Sequence, residues 1–217
     1  MFEVNGTKIG KGFRPYIIAE LSANHGGSIQ RAKDSILAAK KSGADAVKIQ
    51  TYTPDTMTIK SRKSDFVIKD GLWKGYDLYS LYQKAYTPFE WHKELFDFAH
   101  KIGITIFSTP FDETAVDLLE ELNAPAYKIA SFEITDLPLI KYVASKSKPI
   151  FISTGMSNIE EIKEAVDTCL KEGNRNILLF HCISNYPAKL TEAKLGDIEF
   201  LKNYFDLSVG LSDHTTS

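Results

Sequence analysis

Seven short apolar runs, separated by longer amphipathic segments, constrain what this chain can fold into more than any other feature. Each run is rich in Ile, Val, Phe or Tyr, as strands buried in a parallel sheet are. Strands are predicted at Tyr16–Leu21, Ala46–Tyr52, Ile104–Pro110, Ala126–Ala130, Ile150–Gly155, Ile177–Cys182 and Ser208–Asp213. A repeated strand–helix order of this kind is typical of α/β proteins.

Capping signals place helices between these strands. Ser28 is a candidate N-cap for a helix with an apolar face after the first strand. Thr87-Pro88-Phe89-Glu90 and Ser157-Asn158-Ile159-Glu160 are predicted capping boxes, the former with proline at the first helical position. Gly103 and Gly173 are the predicted ends of these two helices.

The segment from Thr53 to Tyr86, between the second and third strands, is longer than the other connections and rich in aromatic residues. Long structured loops in compact domains are often functional, which makes this segment a candidate lid. The alternative is structural, because Tyr79, Tyr82 and Tyr86 recur at the spacing of one helix face. Both interpretations stay open at this point.

Seven strand–helix repeats are compatible with a (β/α)8 TIM-type barrel or with an open doubly wound sheet. The open sheet usually carries a glycine-rich nucleotide signature after its first strand, and this sequence has none there. The barrel is favoured by the polar residues at the strand ends, described below.

The composition argues against two kinds of partner. The chain has 217 residues, 26 basic and 28 acidic, a net charge of −2 and no basic run, whereas nucleic-acid-binding proteins carry a concentrated positive face. No apolar stretch approaches the roughly 20 residues that span a bilayer. Cys169 and Cys182 do not make a disulfide framework, and the first residues lack a signal-peptide pattern. We therefore expect a reduced, cytoplasmic protein without nucleic-acid or membrane partners.

Polar side chains stand at the predicted carboxyl end of every strand, where barrel enzymes build their active sites. They are Glu20, Lys48, Gln50, Ser108, Thr109, Lys128, Ser131, Glu133, Ser153, Thr154, His181, Ser184, Asn185, Tyr186, Ser212, Asp213 and His214. Any one of them could be an isolated buried polar group satisfied by neighbouring backbone. Their occurrence at one end of all the strands predicts a site, because independent accidents would scatter over both ends.

The residue types indicate anion chemistry at this site. Lys48 and Lys128 are point charges suited to a phosphate, and the hydroxyl groups near them are neutral donors to the same oxygens. Glu20 and Glu133 supply carboxylates for proton transfer or for holding hydroxyls. His214 is a candidate metal ligand, although a lone histidine is weak evidence for a metal.

Six segments of the sequence resemble the sialic acid synthase family, in collinear order and over nearly the whole chain. They are residues 17–27 (IIAELSANHGG), 47–52 (VKIQTY), 107–112 (FSTPFD), 127–133 (YKIASFE), 153–156 (STGM) and 210–214 (GLSDH). Within the family, Leu21-Ser22-Ala23, residues 48–53 and Ser131-Phe132-Glu133 favour the branch that makes pseudaminic acid.

The resemblance implies a synthase that condenses phosphoenolpyruvate with a 2,4-diacetamido-2,4,6-trideoxy hexose, giving pseudaminic acid and phosphate. The residues it assigns to phosphoenolpyruvate are Lys48, Thr109, Lys128, Ser131, Ser153, Ser184 and Ser212. Gln50 and Tyr186 are expected to contact the sugar, and Glu20, Glu133 and Lys128 to be catalytic. Ser184 stands where neuraminic acid synthases carry asparagine, a departure from the family pattern.

The family also implies a divalent metal (Mn²⁺, Mg²⁺ or Co²⁺) held by two histidines, of which His214 is one. The second histidine and the family's C-terminal antifreeze-like (SAF) domain are not found in residues 1–217. We therefore expect these residues to be an incomplete N-terminal barrel domain ending after its seventh strand. By the same resemblance, the full-length protein is expected to be a homodimer, and residues 1–217 alone to be inactive or weakly active.

Three alternatives stay open from the sequence. A neuraminic or legionaminic acid synthase differs mainly in its sugar. A Schiff-base aldolase would use Lys128 as a nucleophile. A non-catalytic sugar-binding, phosphate-binding or scaffold protein would retain the site without turnover. Cys182 is expected to be a buried free cysteine, and His92 and His100 to be packing or surface residues of a helix.

Overall fold

The computed structural model describes residues 2–71 and 73–216. They fall into two compact units, each of which contains parallel strands and helices. The continuous unit is Ile17–Ala124, and the split unit combines Met1–Tyr16 with Pro125–Ser217.

All seven predicted strands are confirmed, and they follow a short hairpin at the start of the chain. In chain order the strands are β1 (Phe2–Val4), β2 (Thr7–Ile9), β3 (Ile18–Glu20), β4 (Ala46–Thr51), β5 (Thr105–Pro110), β6 (Tyr127–Ile129), β7 (Ile150–Ser153), β8 (Ile177–Cys182) and β9 (Ser208–Ser212). The α-helices are α1 (Ile29–Lys41), α2 (Pro54–Met57), α3 (Leu78–Ala85), α4 (Phe89–Ile102), α5 (Glu113–Glu121), α6 (Leu137–Ser145), α7 (Ile159–Lys171) and α8 (Gly196–Phe205). Short 3₁₀ helices lie at Ser64–Phe66, Ser131–Thr135 and Leu190–Glu192.

In the continuous unit, β3, β4 and β5 run parallel and adjacent in chain order. The register places Glu20 beside Lys48 and Gln50 beside Thr109. Helices α1 and α4 pack together, with an ion pair between Lys33 and Glu94 on their exposed sides. The predicted site residues of this unit are thus brought to the carboxyl ends of neighbouring strands.

The long insert between β4 and α4 is partly helical. Tyr79 and Tyr82 lie on α3, as the helical interpretation predicts, and Tyr86 ends that helix. The Tyr79 hydroxyl donates to Asp55 Oδ1 at 3.2 Å, and the Tyr82 ring packs 5.8 Å from the Tyr52 ring. The aromatic residues therefore hold the insert together, and a lid role stays a prediction.

In the split unit, β6, β7, β8 and β9 also run parallel and adjacent in chain order. The hairpin β1–β2 belongs to the same unit and was not predicted. Its turn is Asn5-Gly6, with φ of 47° and 78°. Positive φ at both turn positions is what a two-residue hairpin needs, and Asn-Gly adopts it readily.

A row of aromatic rings links this hairpin to the candidate site. The Phe2 ring packs edge-on against Phe151 at 5.0 Å, and Phe151 stacks on Phe180 at 5.4 Å. The Lys128 ammonium lies 5.8 Å from the centre of the Phe180 ring. The apolar floor beneath Lys128 is therefore built from rings of β1, β7 and β8.

The helix ends confirm part of the predicted capping. Ser28 caps α1 by accepting from the Arg31 amide at 3.3 Å. Gly103, at φ 72°, and Gly173, at φ 80°, follow the ends of their helices as predicted.

Both predicted capping boxes are wrong in detail. Pro88 is the N-cap of α4 rather than its first residue, and Thr87 is buried with its hydroxyl 3.3 Å from His25 Nε2. For α7 the box is one residue later: Asn158 accepts from the Glu161 amide, and Glu161 accepts from the Asn158 amide, each at 2.9 Å. The first hydroxyl of each motif therefore makes no cap: α4 begins without a side-chain cap, and Asn158 caps α7.

No helix within residues 2–71 and 73–216 is both long enough and apolar enough to traverse a bilayer.

Candidate functional site

The continuous unit holds a cluster of three predicted site residues, which we call the Lys48 cluster: Glu20, Lys48 and Thr109. Lys48 Nζ lies 2.5 Å from Glu20 Oε2 and donates to Thr109 Oγ1 at 3.1 Å. The Lys48 side chain is 13% exposed and that of Glu20 is 42% exposed. The cluster is therefore a partly solvated ion pair with a hydroxyl beside it.

Strand alternation places Gln50 on the same face of β4 as Lys48, next to Thr109 on β5. Gln50 is half-buried. An amide in this position can donate to and accept from hydroxyl or acetamido groups of a ligand.

The loop after β3 is fixed around His25, which follows the first strand in the segment Asn24-His25-Gly26 and had no predicted role. His25 is buried, and its Nδ1 accepts from the Gly27 amide at 3.1 Å. Burial lowers the pKa of His25, which keeps the ring neutral and able to accept that bond. The Ser22 amide donates to Glu20 Oε1 at 3.0 Å, so the same loop orients the catalytic candidate.

The split unit holds a second cluster, which we call the Lys128 cluster: Lys128, Ser131 and Ser153. Lys128 is 6% exposed, and its Nζ donates to Ser153 Oγ at 2.5 Å and to the Ile129 carbonyl at 2.9 Å. Ser131 is buried, and its Oγ accepts from the Gly155 amide at 3.3 Å. An ammonium and hydroxyls are thus gathered in a largely dry environment.

Close packing around Gly155 brings Ser184 and Cys182 to the Lys128 cluster. A Cβ atom at Gly155 would lie 2.6 Å from both Cys182 Sγ and Ser184 Oγ, so only glycine fits. Cys182 is a buried free cysteine, as predicted, and its sulfur lies 3.3 Å from Ser131 Oγ. That contact joins residues 51 positions apart, and no local pattern in the sequence signals it.

Glu133 follows β6 in the 3₁₀ helix Ser131–Thr135. Its Oε2 is buried and has no hydrogen-bond partner among the described residues. Burial raises the pKa of Glu133 from 4.5 to about 7, with the nearby Lys128 charge opposing the shift and Asp136 adding to it. A carboxyl in this environment holds a proton near neutral pH and can give it up, as a general acid must.

His214, Ser212 and Tyr186 form a third group, also in the split unit. The Tyr186 ring lies 4.2 Å from the His214 ring, and His214 Nε2 lies 3.3 Å from Ser212 Oγ. Ser212 and His214 line a cavity of about 160 Å³ together with apolar side chains such as Leu190 and Leu211.

His214 has the hydrogen bonding of a histidine that can ligate a metal. Its Nδ1 lies 2.8 Å from the Ile183 carbonyl, which can only accept, so Nδ1 carries the proton and Nε2 keeps its lone pair. A divalent ion needs several donors, however, and within the described residues no three His, Cys, Asp or Glu side chains are grouped to hold one. The residues described here therefore do not make a metal site by themselves.

Each lysine cluster has the donors that a phosphate or carboxylate would use. Ammonium groups and hydroxyls at strand ends form charge-assisted hydrogen bonds to anionic oxygens, which are stronger than bonds between neutral groups. The two clusters have different electrostatics, since Lys48 is paired with a carboxylate and Lys128 is buried beside hydroxyls.

Comparison with known proteins identifies the relatives of this chain. The model of the NeuB family matches residues 35–217. The pseudaminic acid synthase of Helicobacter pylori is 50% identical over 201 residues, which are 93% of this chain and 59% of that protein. The N,N'-diacetyllegionaminic acid synthase of Legionella pneumophila is 38% identical over 98% of this chain and 61% of that protein. The chain thus spans about three fifths of the length of these relatives.

A solved structure agrees over almost all of the chain. The N-acetylneuraminic acid (sialic acid) synthetase of Leptospira borgpetersenii matches with a TM-score of 0.87 and 28% identity, covering 99% of this chain and 70% of that one. The predicted fold class, α/β with the successive parallel strands of a TIM-type barrel, is confirmed.

Proposed function

The chain belongs to the NeuB family, and from that premise we propose that its protein condenses phosphoenolpyruvate with an amino-sugar aldehyde. The preferred sugar in this proposal is a 2,4-diacetamido-2,4,6-trideoxy hexose, and the products are pseudaminic acid and phosphate. The pseudaminic acid synthases among the relatives, at 46% to 50% identity, support this choice over the legionaminic acid synthases, at 38% and 42%.

The observation that carries the proposal is the buried Lys128 with Ser153 at the carboxyl ends of β6 and β7. An ammonium in a dry environment is costly unless an anion or strong acceptors offset its desolvation. A doubly charged phosphate is the kind of ligand that this environment favours, because charge interactions are stronger where water is excluded. Ser131 and Ser153 add hydroxyl donors to the same ligand.

In the proposed reaction, the C2=C3 π electrons of phosphoenolpyruvate form a bond from C3 to the aldehyde carbon of the open-chain sugar. The aldehyde C=O π pair moves onto oxygen, and positive charge is left at C2. The aldehyde oxygen takes a proton, for which the protonated Glu133 is the candidate donor. Water then adds to C2, with Glu20 as the candidate that orients it and accepts its proton. In the last step the C2 hydroxyl gives its proton to the departing phosphate and becomes the C2=O group of the product. The bond between C2 and the phosphate oxygen breaks, and its electron pair leaves with inorganic phosphate.

The side chains act in this scheme mainly by positioning and by fixed charge. The residues proposed for phosphoenolpyruvate are Lys48, Thr109, Lys128, Ser131, Ser153, Ser184 and Ser212. Gln50 and Tyr186 are proposed for the sugar. His214 Nε2 is proposed as one ligand of a divalent ion, which would polarise the aldehyde oxygen when bound. A cytoplasmic location and a homodimer belong to the same proposal.

Phosphate release by the intact protein tests this function. We would supply phosphoenolpyruvate and a manganese salt with 2,4-diacetamido-2,4,6-trideoxy-altrose, or with N-acetylmannosamine or the diacetamido sugar of legionaminic acid synthesis. Release only with the altrose sugar is the expected result. Release with another sugar would retain the chemistry and reject the substrate, and release with none of the sugars would reject the synthase.

A further inference from the structure

A buried chain of hydrogen bonds lies between β4, β5 and α4 in the continuous unit. It joins His92 of α4 to Thr51 at the end of β4 and to Ser108 of β5. All three residues are completely buried, at 0% exposure. His92 was predicted to be a packing or surface residue of a helix, and Thr51 had no predicted role.

The contacts of this hydrogen-bond chain extend from the Pro88 carbonyl to the Ile49 carbonyl. His92 Nδ1 lies 3.0 Å from the Pro88 carbonyl, and His92 Nε2 lies 2.8 Å from Thr51 Oγ1. Thr51 Oγ1 lies 2.6 Å from Ser108 Oγ, which lies 3.1 Å from the Ile49 carbonyl.

The acceptors at the two ends determine how the protons are arranged. The Pro88 carbonyl can only accept, so His92 Nδ1 carries a proton. Burial lowers the pKa of His92 to about 4, so Nε2 is unprotonated at neutral pH and accepts from the Thr51 hydroxyl. The Ser108 hydroxyl has one proton for two acceptors, the Thr51 oxygen at 2.6 Å and the Ile49 carbonyl at 3.1 Å, and it is shared between them. The neutral histidine therefore orients both hydroxyls.

This hydrogen-bond chain lies on the opposite face of β4 and β5 from candidate site residues. Side chains alternate along a strand, so Thr51 and Ser108 face α4, while Gln50 and Thr109 face the opposite side. Thr109 and Lys48 are in contact on that opposite side, at 3.1 Å. Each hydroxyl of the chain is thus adjacent in sequence to a residue proposed to hold substrate.

Stability alone gives no reason for polar groups at these positions. Replacing both partners of a buried hydrogen bond with apolar groups of the same shape is often nearly neutral. What hydrogen bonds add over apolar contacts is direction, because they fix distance and angle between the elements that they join. The hydrogen-bond chain therefore serves to fix the positions of β4, β5 and α4 relative to one another.

We infer that His92, Thr51 and Ser108 are positioning residues, whose hydrogen-bond chain holds the carboxyl ends of β4 and β5 so that Gln50 and Thr109 meet the substrates correctly. The inference rests on the proposed function for the identity of those substrates. It does not require any of the three residues to contact substrate.

The test compares two variants of Thr51 in the intact protein. Thr51→Val keeps the volume and removes the hydroxyl, whereas Thr51→Ser keeps the hydroxyl and removes a methyl group. We expect Thr51→Val to lower kcat by about tenfold to a hundredfold, since small misplacements of reacting groups have effects of this size. Thr51→Ser should stay within about twofold of the wild type even where its Tm is lower, because packing is not the function of the hydroxyl.

Two further variants make the comparison specific. His92→Phe removes both ring nitrogens from a buried ring and should behave as Thr51→Val does. His100→Phe, the same change at an exposed position on α4, is the matched control and should match the wild type. The inference would be overturned if Thr51→Val were as active as Thr51→Ser. It would also be overturned if the kcat values of the variants followed the order of their Tm values alone.

Hydrogen exchange separates this inference from the proposed function. If the wild type releases phosphate, the kinetic comparison decides. If it does not, the proposed function fails, and amide exchange at residues 49–51 and 107–109 still decides: faster exchange in Thr51→Val than in Thr51→Ser supports positioning, and equal exchange overturns it. Should Thr51→Val not fold, Ser108→Ala takes its place in both assays, with the same supporting and contradicting results.

Discussion

The continuous unit and the split unit each bring a lysine and a glutamate to strand ends, but in opposite environments. Lys48 forms an ion pair with Glu20, whose side chain is 42% exposed. Lys128 is 6% exposed and donates to Ser153 and a backbone carbonyl, and the half-buried Glu133 has a buried Oε2 and a pKa raised to about 7.

The difference shows how lysine and glutamate can form a compensated ion pair in one unit and a strong anion site beside a proton donor in the other. In a solvated ion pair, much of the charge of each partner is compensated before any ligand arrives. Such exposed pairs also contribute little free energy, because water and salt screen them. A buried ammonium interacts more strongly with an incoming anion, and a buried carboxyl is kept protonated. The split unit is therefore expected to dominate anion binding, and Glu133 is expected to act in its protonated form.

The largest expected effect comes from the two lysines. Lys128→Met should lower kcat/KM for phosphoenolpyruvate by about a thousandfold, and Lys48→Met by about a hundredfold, the range seen when preorganised charge stabilisation is removed. Phosphate release by the intact protein gives both numbers. Lys141→Met, at a 67% exposed lysine of α6, is the control and should be unchanged. A loss at Lys48 as large as that at Lys128 would remove the contrast between the two environments.

An intermediate effect is expected from the tight packing of the split unit. Gly155→Ala places a Cβ 2.6 Å from Cys182 Sγ and 2.8 Å from the Cys182 carbonyl oxygen, which cannot move easily. Overpacking of this kind costs about 1–3 kcal/mol of unfolding free energy, measured by denaturant titration. Gly196→Ala, where a Cβ meets nothing within 4 Å, is the matched control. Equal stabilities would show that the loop after β7 is looser than this geometry indicates.

The smallest effect is a pH dependence of stability from Glu133. The folded pKa of about 7 lies above the ordinary value of 4.5, so the folded protein retains a proton that the unfolded chain releases. The stability from this proton is complete below about pH 4.5 and is lost as pH rises through about 7. Glu133→Gln lacks this titration.

The Tm of Glu133→Gln relative to the wild type should therefore rise by a few degrees between pH 5 and pH 8, by thermal denaturation at each pH. Glu164→Gln, at an exposed glutamate of α7, serves as the surface control. A Tm difference that does not change with pH would contradict the assignment of a buried, protonated Glu133.

The strands were predictable because each is a short apolar run with its own boundaries, and β8 matches its predicted range residue for residue. The hairpin was predictable but was not predicted, although Asn5-Gly6 is the strongest short-range hairpin signal. The cap of α4 was not predictable from local sequence, because the Thr87 hydroxyl bonds to His25, 62 residues earlier in the chain.

In the candidate site, too, features set by local sequence were predictable, and contacts between distant residues were not. Lys48, Lys128 and Glu20 could be placed at strand ends from the sequence, since strand alternation and chain order determine their positions. The buried chain through His92 could not be predicted, because it depends on the rotation of α4 against two strands. Similarly, the contact of Cys182 with Ser131 depends on how β8 and the loop after β6 pack.

The ring row from Phe2 through Phe151 to Phe180 has a practical consequence for handling this protein. Phe2 is the second residue of the chain, yet it is 4% exposed and its ring packs on the same stack that lies under Lys128. A change at Phe2 would therefore reach a catalytic candidate on β6 through two ring contacts, without touching any residue proposed to bind substrate. Loss of activity in a Phe2 variant should first be traced to the packing beneath Lys128.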